Sequence, residues 1–436
     1  MFKKIFSIEN QDVHKVVTVM GVRFKVKSLK LVLRRDIKNL ETNQKRLKRQ
    51  LNYYKSSLEN IGQNSSDFVE CASDNIEVQD PTKLIAFYLP QFHTFKENEE
   101  WHGKGFTEWT NVTKAKPMYE GHFQPQLPID VGFYDLSCDK VMYRQVELAK
   151  QYGIHGFCFH YYWFSGKRLM EQPIFNWLNN KELDLPFCLC WANENWSKRW
   201  DGGNNEVLME QTLKEDDWKK FVEDIVPFLQ DERYIKINNK PVLIIYRPAL
   251  FEYDMYLNFV DNIRAEVKNY GIDDLYLIMA RTFGEVNPPK YYHMDATVEF
   301  PPHCMPNKRR KKNIGYVDPN FKGQIFDMDY YINNERYIYD VDYPLFKTVF
   351  PNWDNSARRQ DTASILPMSL VLYKKWLSGC LKWTKEHNEK ERQIIFVNAW
   401  NEWAEGAHLE PDRKNGYAYL QATREVLESE NVEEVN

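Results

Sequence analysis

The sequence lacks a long apolar run. No stretch approaches the roughly 18 consecutive apolar residues of a membrane-spanning helix, although hydrophobic residues make up 43% of the 436-residue chain. The basic start at residues 1–7 is not followed by the apolar segment of about 7–15 residues that a secretory signal carries. We therefore expect a cytoplasmic protein with enough apolar side chains for a sizeable core.

Cysteine is scarce and scattered. The chain has seven cysteines, an odd number that cannot all pair within one chain. Cys158, Cys188 and Cys190 fall inside apolar segments that are typical of buried strands. This distribution is typical of reduced core thiols and not of a disulfide framework. A Gly-x-Gly-x-x-Gly phosphate cradle is also absent from the sequence. The sequence predicts neither a metal site nor a cofactor.

Positive charge is concentrated at the N-terminus. Residues 1–60 hold fifteen Lys or Arg against five Asp or Glu, whereas the whole chain has a net charge of −4. Within this region, apolar residues at spacings of four and three predict a basic coiled-coil helix over residues 28–63, with polar Gln44 at one core position. The seam consists of Leu33, Ile37, Leu40, Gln44, Leu47, Leu51, Tyr54, Leu58 and Ile61.

Three roles remain open for this helix. It could join a second copy or another partner, contact an anionic membrane surface through its basic faces, or pack on the rest of the chain. Nucleic acid is not expected, because no recognised nucleic-acid-binding fold accompanies the charge. Before the helix, alternating residues over 1–27 predict a small basic β-hairpin with Gly21 near its turn. After it, polar and acidic residues 64–82 predict a linker.

From residue 83 to residue 428 short apolar strands alternate with helical stretches. The predicted strands are residues 84–89, 154–161, 187–191, 242–246, 275–280, 296–300, 345–350 and 394–397, and helices are predicted at residues 140–152, 216–229, 253–270 and 368–388. This alternation predicts an α/β fold, a (β/α)8 TIM-type barrel that would form the catalytic domain. Six strands follow from the pattern alone, and the count of eight depends on the resemblance described below.

Aromatic, amide or charged side chains follow nearly every predicted strand. The loops after the strands build the active site of a (β/α)8 barrel, so these residues predict a polar cleft with aromatic walls that suits an oligosaccharide. The candidate substrate-binding residues are Tyr88, Gln91, His93, His160, Tyr161, Tyr162, Trp191, Asn193, Glu194, Asn195, Trp196, Arg199, Arg247, Arg281, Trp353, Asn355, Asn398, Trp400, Asn401 and Trp403.

The stretch after the eighth predicted strand carries two candidate catalytic residues. Glu402 and Glu405 are three positions apart, which on a helical turn places them on the same face. Trp rings stack on sugar faces, and two carboxyl groups can act on a glycosidic bond, so Trp400 and Trp403 beside these acids indicate sugar chemistry. The alternative is that the acids cap a helix or pair with a nearby arginine. A purely structural role stays open for Glu410.

Several motifs of this chain resemble those of one family. They are Phe87-Tyr88-Leu89-Pro90-Gln91-Phe92-His93, Gly105-Phe106-Thr107-Glu108-Trp109-Thr110-Asn111-Val112, Cys190-Trp191-Ala192-Asn193-Glu194-Asn195-Trp196 and Pro351-Asn352-Trp353-Asp354-Asn355. Residues 83–411 resemble the WbsX-type family, described as glycosyltransferases of surface polysaccharide clusters and as glycoside hydrolase family 99-like domains. The run Glu402-Trp403-Ala404-Glu405-Gly406 resembles the Glu-Trp-His-Glu-Gly motif of the family 99 endo-α-mannosidases, with Ala404 in place of their His.

The resemblance implies an enzyme that makes or breaks glycosidic bonds in bacterial lipopolysaccharide O-antigen or capsule synthesis. Its substrate would be an oligosaccharide or a lipid-linked glycan, and its location cytoplasmic or peripheral at the inner membrane. In the family 99 mannosidases the first motif glutamate deprotonates the 2-hydroxyl of the sugar, which forms an anhydro-sugar, and the second protonates the leaving group. By position, Glu402 would be the base and Glu405 the acid. Residues 3–10 also resemble the lead-in of bacterial polysaccharide glycosyltransferases.

Two other classes of function stay open. A glycosyltransferase that depends on a metal and a nucleotide sugar would use an Asp-x-Asp string, and the chain has Asp327-Met328-Asp329 and Asp340-Val341-Asp342. A non-catalytic glycan-binding assembly protein would use the coiled-coil arm. The paired Glu402 and Glu405 argue against the binding protein, because glycan binding alone needs no pair of acids.

Overall fold

The computed structural model describes residues 6–11, 14–20, 22–61, 64–76, 80–197, 207–305, 308–310, 321–359 and 362–429. For residues 6, 52–53 and 56–61 it describes the backbone alone. The chain divides into two units, a smaller one that consists mainly of residues 1–62 and a larger one that holds nearly all of the rest.

The smaller unit begins with an antiparallel sheet of three strands, β1 (Phe6–Gln11), β2 (His14–Val19) and β3 (Val22–Lys27). Strands β2 and β3 form the predicted hairpin, although Gly21 lies outside the described residues. Strand β1 adds a third strand on the other side of β2, where Ile8 pairs with Val17. Strand β2 therefore pairs on both of its edges, with β3 on one side and with β1 on the other.

Helix α1 (Leu29–Ile61) follows the sheet and has 33 residues. Five seam side chains, Leu33, Ile37, Leu40, Leu47 and Leu51, are between 52% and 67% exposed in the single chain. The helix is present as predicted, and the coiled coil remains a prediction because only one copy is described.

The larger unit is a closed barrel. Among the described residues, eight strands form it: β4 (Lys83–Tyr88), β5 (Ile154–Phe164), β6 (Phe187–Trp191), β7 (Lys240–Ile245), β8 (Tyr276–Arg281), β9 (Ala296–Glu299), β10 (Leu345–Val349) and β11 (Ile394–Val397). Each pairs in parallel with the next, and β11 pairs with β4. The predicted (β/α)8 barrel is therefore confirmed.

The helices of the larger unit lie between or after these strands. They are α2 (Lys96–His102), α3 (Glu108–Lys114), α4 (Lys140–Gln151), α5 (Gln172–Asn179), α6 (Asp217–Leu229), α7 (Tyr253–Glu266), α8 (Met328–Asn333), α9 (Leu370–His387) and α10 (Ala418–Glu428). Short strands at Lys167–Leu169, Trp196–Ser197, Val207–Met209, Lys236–Ile237, Gln324–Ile325, Trp353–Asp354, Ser364–Leu366, Asn401–Glu402 and Ala407–His408 belong to the loops.

Helices cover the outside of the barrel, so its strands are buried on both faces. Every residue of β6, β9, β10 and β11 is buried, which explains why β6 and β11 read as continuous apolar runs. The outward side chains pack on the helices: Trp191, for example, lies against Phe221 of α6 and Phe259 of α7. Alternate residues face inward, and those at the strand ends line the site described below.

The predicted linker packs onto the barrel unit. The backbone N–H of Val69 donates to the carbonyl of Asn415, and that of Ala72 donates to the hydroxyl of Tyr152. Arg424 of α10 binds the carboxylate of Asp74. A polar segment whose backbone groups find such partners is fixed in place, so its described residues are part of the larger unit and not a free spacer. Among the described helices, none is long and apolar enough to cross a membrane.

Candidate active site

A cavity of about 680 Å³ opens at the C-terminal ends of the barrel strands. All eight strands or the loops that follow them contribute to its wall, as the geometry of a (β/α)8 barrel requires. Its volume lies in the range of pockets that bind small molecules.

One buried arginine organises the acidic side of this cavity. The guanidinium of Arg358 donates from Nη2 to Oε1 of Glu402 at 2.7 Å and lies with Nη1 2.9 Å from Oε1 of Glu405. Its third nitrogen, Nε, donates to Oε1 of Glu108 at 2.9 Å. The side chains of Arg358 and Glu402 are only 8% and 9% exposed, that of Glu405 is 21% exposed, and that of Glu108 is fully buried.

Burial raises the proton affinity of both glutamates. The pKa of Glu402 is raised to about 8, mainly by burial and further by the negative charges of Glu405 and Glu108, while Arg358 lowers it. Burial and Glu108 also raise the pKa of Glu405, against the opposing effect of Arg358. Both carboxyl groups therefore hold a proton to higher pH than an ordinary glutamate does.

The loop that carries the pair is a small hairpin and not the helical turn that the spacing predicts. Asn401–Glu402 pairs antiparallel with Ala407–His408, and Trp403–Glu405 forms a 3-10 turn between them. Gly406 closes the hairpin with a φ of +60°. The two glutamates still share a site, because both reach Arg358.

Two amides attach this hairpin to the barrel. Asn401 accepts from the backbone N–H of Leu89 at 2.8 Å and donates to its carbonyl at 3.0 Å, which ties the loop after β11 to the loop after β4. Asn398 donates to the carbonyl of Pro301 at 2.9 Å. Asn401, which the sequence predicts as a site residue, is therefore buried and holds the hairpin in place without lining the cavity. Asn398 both holds its loop and lines the cavity.

Glu410 has a structural position. Its carboxylate is 1% exposed and accepts hydrogen bonds from the indoles of Trp400 (3.1 Å) and Trp403 (2.6 Å), the amide of Gln145 (2.6 Å) and the hydroxyl of Tyr134 (2.9 Å). Burial nevertheless raises its pKa to about 7. The two tryptophans predicted to face a sugar therefore point at Glu410 and lie outside the cavity wall.

A second ion pair lies on another side of the cavity. Nη1 of Arg247 donates to Oε1 of Glu194 at 2.6 Å, and its guanidinium stacks on the ring of Phe283 at 4.6 Å. The amide of Asn193 bonds both the N–H and the carbonyl of Arg247, so it holds the arginine without reaching the cavity. Burial and the charge of Glu405 raise the pKa of Glu194, while Arg247 lowers it. The polar groups of Glu194 and Arg247 and the aromatic ring of Phe283 all line the cavity.

The structure brings twelve of the predicted site residues together. Those that line the cavity are Gln91, His160, Tyr162, Glu194, Asn195, Trp196, Arg247, Trp353, Asn355, Asn398, Glu402 and Glu405. Their roles in binding and catalysis remain predictions. The aromatic members among them give the predicted aromatic walls.

Nine predicted residues do not line the cavity. They are Tyr88, His93, Tyr161, Trp191, Asn193, Arg281, Trp400, Asn401 and Trp403. Tyr88, Tyr161 and Trp191 lie on strand positions that face the surrounding helices, where the Tyr88 hydroxyl donates to Gln145 of α4. A ring nitrogen of His93 bonds the Pro90 carbonyl, and Arg281 donates to the Tyr339 hydroxyl. Arg199 lies outside the described residues.

Sequence reasoning missed the residues that hold the glutamate pair. Glu108 stands inside a quoted motif, but nothing local distinguishes it from a residue at the start of a helix. Arg358 lies three residues after Asn355, the last residue of the motif that follows the seventh predicted strand. This position near a strand end was the one feature of the sequence that could have indicated a place in the site. The partners of Arg358 lie 250 and 44 residues away in the chain, so the contact exists only in the folded barrel.

The Asp-x-Asp strings lie apart from the glutamate pair. Asp327 caps helix α8, where its carboxylate accepts from the backbone N–H of Tyr330 at 3.2 Å. Asp340 is exposed and lies 3.2 Å from a ring nitrogen of His387. Neither string contributes a residue to the cavity wall, and among the residues that the structure describes the carboxyl groups of the wall are those of Glu402, Glu405 and Glu194.

A closed barrel with a pair of carboxyl groups at the C-terminal ends of its strands is an arrangement that carbohydrate-active (β/α)8 enzymes use. Residues 84–423 match the family model described as glycosyltransferase WbsX, which spans most of the chain. The chain therefore belongs to the glycosyltransferase WbsX family, as its motifs predicted. The description of this family is that of enzymes that act on glycosidic bonds.

Two curated relatives, each called uncharacterized protein WxcX, come from two strains of Xanthomonas campestris pv. campestris. Each is 41% identical over 348 residues, which make up 80% of this chain and 50% of the relative. The chain thus spans about half the length of the curated relatives it matches.

Among solved structures, a glycoside hydrolase-like protein aligns with a TM-score of 0.49 and 13% identity, over 83% of this chain and 98% of that one. The GH99 endo-α-mannosidase from Bacteroides thetaiotaomicron aligns with a TM-score of 0.47 and 13% identity, over 79% of this chain and 96% of that one.

Proposed function

We propose that this protein makes or breaks glycosidic bonds in the synthesis of a bacterial surface polysaccharide, such as lipopolysaccharide O-antigen or capsule. Glu402 and Glu405 are the catalytic carboxyl groups. The observation that carries the proposal is that both line one cavity, in reach of one guanidinium, with aromatic rings in the same wall.

The chemistry of such a bond change needs one acid and one base. The acid protonates the leaving oxygen, and the base activates the attacking group. Two coupled carboxyl groups with raised pKa values can share a single proton at neutral pH, so one is the acid while the other is the base. By motif position, Glu402 is the base and Glu405 is the acid.

The substrate is an oligosaccharide or a lipid-linked glycan. Support comes from the cavity wall, where Tyr162, Trp196 and Trp353 supply rings, and Gln91 and Asn355 supply amides for hydroxyl groups. Ala404, where the mannosidases have His, is fully buried. The carboxyl pair keeps its place at Arg358 despite this difference from the mannosidase motif.

Replacing Glu405 with Gln tests this function. Cells that lack the gene receive wild-type protein, Glu405→Gln or the control Glu232→Gln, whose side chain is exposed. Surface glycan and lipid-linked precursors are then compared by mass spectrometry. We expect Glu405→Gln to reduce turnover by a factor of about 100 or more, because general acid–base catalysis contributes about 10²–10⁴.

Each outcome has a distinct meaning. A precursor that stops one sugar short in the Glu405→Gln cells would show a transferase, whereas longer or untrimmed glycan would show a hydrolase. Wild-type glycan in those cells, with the variant protein present and folded, would contradict the proposed function. The Glu232→Gln cells should match wild type in every case.

We also propose that the protein forms a homo-oligomer, or binds a partner, through the exposed seam of α1. We place the protein in the cytoplasm, where the many Lys and Arg residues of α1 would favour peripheral contact with anionic lipid of the inner membrane. What supports this is the exposure of five seam residues together with their heptad spacing.

A further inference from the structure

Three carboxyl groups, one from α3 and two from the hairpin after β11, converge on the Arg358 guanidinium. Glu108 comes from the start of α3, Glu402 from the short strand after β11, and Glu405 from the 3-10 turn that follows. Each takes a different nitrogen of the guanidinium, at 2.7–2.9 Å. Each of the three nitrogens of the arginine thereby contacts one acid, and the rigid planar guanidinium fixes the positions of the three acids relative to one another.

The charges of this cluster do not balance if every acid is ionised. One cation then faces three anions, and burying unpaired charge is costly. Glu108 also has a second oxygen, Oε2, that is buried without a hydrogen-bond partner among the described residues. Protonation of Glu402 or Glu405 relieves this imbalance, and the charges of Arg358 and Glu108 act on it in opposite directions.

Arg358 is held in turn by its own segment. Gln124 donates to Asp354 at 2.7 Å and to the hydroxyl of Ser356 at 3.2 Å, while Asp354 accepts from the backbone N–H of Ser356 at 3.0 Å. The 3-10 turn Asn355–Ala357 then leads directly into Arg358. A side chain on a turn fixed in this way can hold its partners in a constant geometry.

We propose that Arg358 is the positioning residue of this site: it holds Glu402 and Glu405 at the cavity wall, while Glu108 behind it keeps one proton on that pair. The inference rests on the proposed function, because it explains how an acid and a base are maintained at one place. Arg358 favours loss of the proton and Glu108 favours its retention, so the two residues oppose each other.

Other charged and titratable groups face the pair from neighbouring elements. They are His160 and Tyr162 of β5, Glu194 after β6, Tyr246 and Arg247 after β7, His303 after β9 and Arg359 next to Arg358. All of them stay unchanged in the variants below, so their effect on the pair is constant and differences between variants report Arg358 and Glu108.

The experiment is a pH titration by infrared difference spectroscopy on the purified full chain, without substrate. Between pH 6 and pH 10 ordinary surface carboxyl groups are already ionised, so the C=O band of a protonated acid in this range comes from groups of raised pKa. The band that belongs to the pair is the one lost in Glu402→Gln or Glu405→Gln. Its midpoint is compared in wild type, Glu108→Gln, Arg358→Gln and Arg358→Lys.

We expect shifts of opposite sign. Glu108→Gln removes a negative charge and lowers the midpoint by about 1 pH unit, whereas Arg358→Gln removes the positive charge and raises it by about 1–3 units. Arg358→Lys keeps the charge and should give a midpoint below that of Arg358→Gln. If Arg358→Gln does not fold, the comparison of Glu108→Gln with Glu108→Gln/Arg358→Gln measures the same effect with one buried anion fewer.

Midpoints that stay within about 0.3 units of wild type, or that move in the same direction in Glu108→Gln and Arg358→Gln, would overturn the proposal. Because the titration uses no substrate, it is independent of the glycan analysis in cells. A glycan analysis that contradicts the proposed function would leave the measured midpoints valid, and unmoved midpoints would leave the catalytic role of Glu405 intact.

Discussion

At the scale of single residues, Glu410 and Glu402 show two uses of a buried carboxyl group. Glu410 accepts from four donors and has no place in the cavity wall. Glu402 is bound by an arginine and lines the cavity. The sequence offered arginine pairing and catalysis as alternatives for Glu402, whereas the folded site combines the arginine contact with a place in the cavity.

The raised pKa of Glu410 predicts a pH dependence of stability. The pKa is about 7 in the folded protein and about 4.3 in an unfolded chain. Between these values the folded protein holds a proton that the unfolded chain has released, so the free energy of unfolding falls as pH rises. This group contributes a fall of up to about 1.4 kcal/mol per pH unit.

Urea unfolding of wild type and Glu410→Gln at pH 5, 6 and 7 checks this prediction. In the variant the free energy of unfolding should lose the part of its pH dependence that comes from Glu410. The NH2 group of the new glutamine would also face hydrogen-bond donors that the carboxylate accepts from, which costs about 1–3 kcal/mol. Glu232→Gln, at an exposed position, is the control and should keep the wild-type slope. Parallel slopes for wild type and Glu410→Gln would show that Glu410 does not titrate in this range.

At the scale of elements, the hairpin after β11 decides where the glutamate pair lies. The spacing of Glu402 and Glu405 alone suggests one turn of a helix, but the chain forms a strand, a 3-10 turn and a returning strand. Asn401 anchors the first strand to Leu89, and Gly406 reverses the chain. The tertiary anchors prevail over the local tendency because they satisfy buried backbone groups.

Gly406 provides a test of this element. Its φ of +60° favours glycine, and an added Cβ would lie 2.9 Å from Nε2 of Gln126 and 3.1 Å from Cβ of Asp354. Gly406→Ala should therefore cost about 1 kcal/mol for the backbone and about 1–3 kcal/mol more for crowding. The free energy of unfolding in urea measures the sum.

Gly132→Ala is the matched control. Gly132 has nearly the same φ, +64°, but an added Cβ meets no atom within 4 Å. It should lose only the backbone part, about 1 kcal/mol. Equal losses in the two variants would mean that the contacts around Gly406 relax without cost, and that the hairpin is less tightly fixed than its packing indicates.

At the scale of the whole molecule, the exposed seam of α1 predicts self-association. Burying large apolar side chains contributes about 1.5–3 kcal/mol for each, and a heptad seam in which Ile37 and Leu51 share one core position and Leu40 and Leu47 share the other favours helix pairing. We expect the wild-type chain to sediment as an oligomer. Leu40→Lys/Leu47→Lys should sediment as a monomer of 52.2 kDa.

The control adds the same two charges away from the seam. Asn39→Lys/Thr42→Lys changes exposed positions on the outer faces of α1 and should leave the oligomer intact. Sedimentation velocity over a range of concentrations measures all three proteins. A wild-type chain that remains monomeric at every concentration would contradict self-association and favour a different partner.

The sequence by itself determined six of the eight barrel strands, the main helices and the place of the carboxyl pair. Strands β6 and β11 have their predicted bounds, since a buried parallel strand is a short apolar run that local sequence shows directly. Placing Glu402 and Glu405 after the last strand needed only the rule that such loops build the site. These inferences use information from neighbouring residues.

Only the tertiary structure decided which side chains meet. It paired Glu108 with Arg358 across 250 residues, turned Trp400 and Trp403 toward Glu410, and put Trp191 on the outer face of the barrel. Sequence spacing gives the order of residues, but a contact between distant segments depends on how the barrel closes and on which face each side chain takes. For this reason the carboxyl pair could be predicted, whereas the arginine that holds it could not.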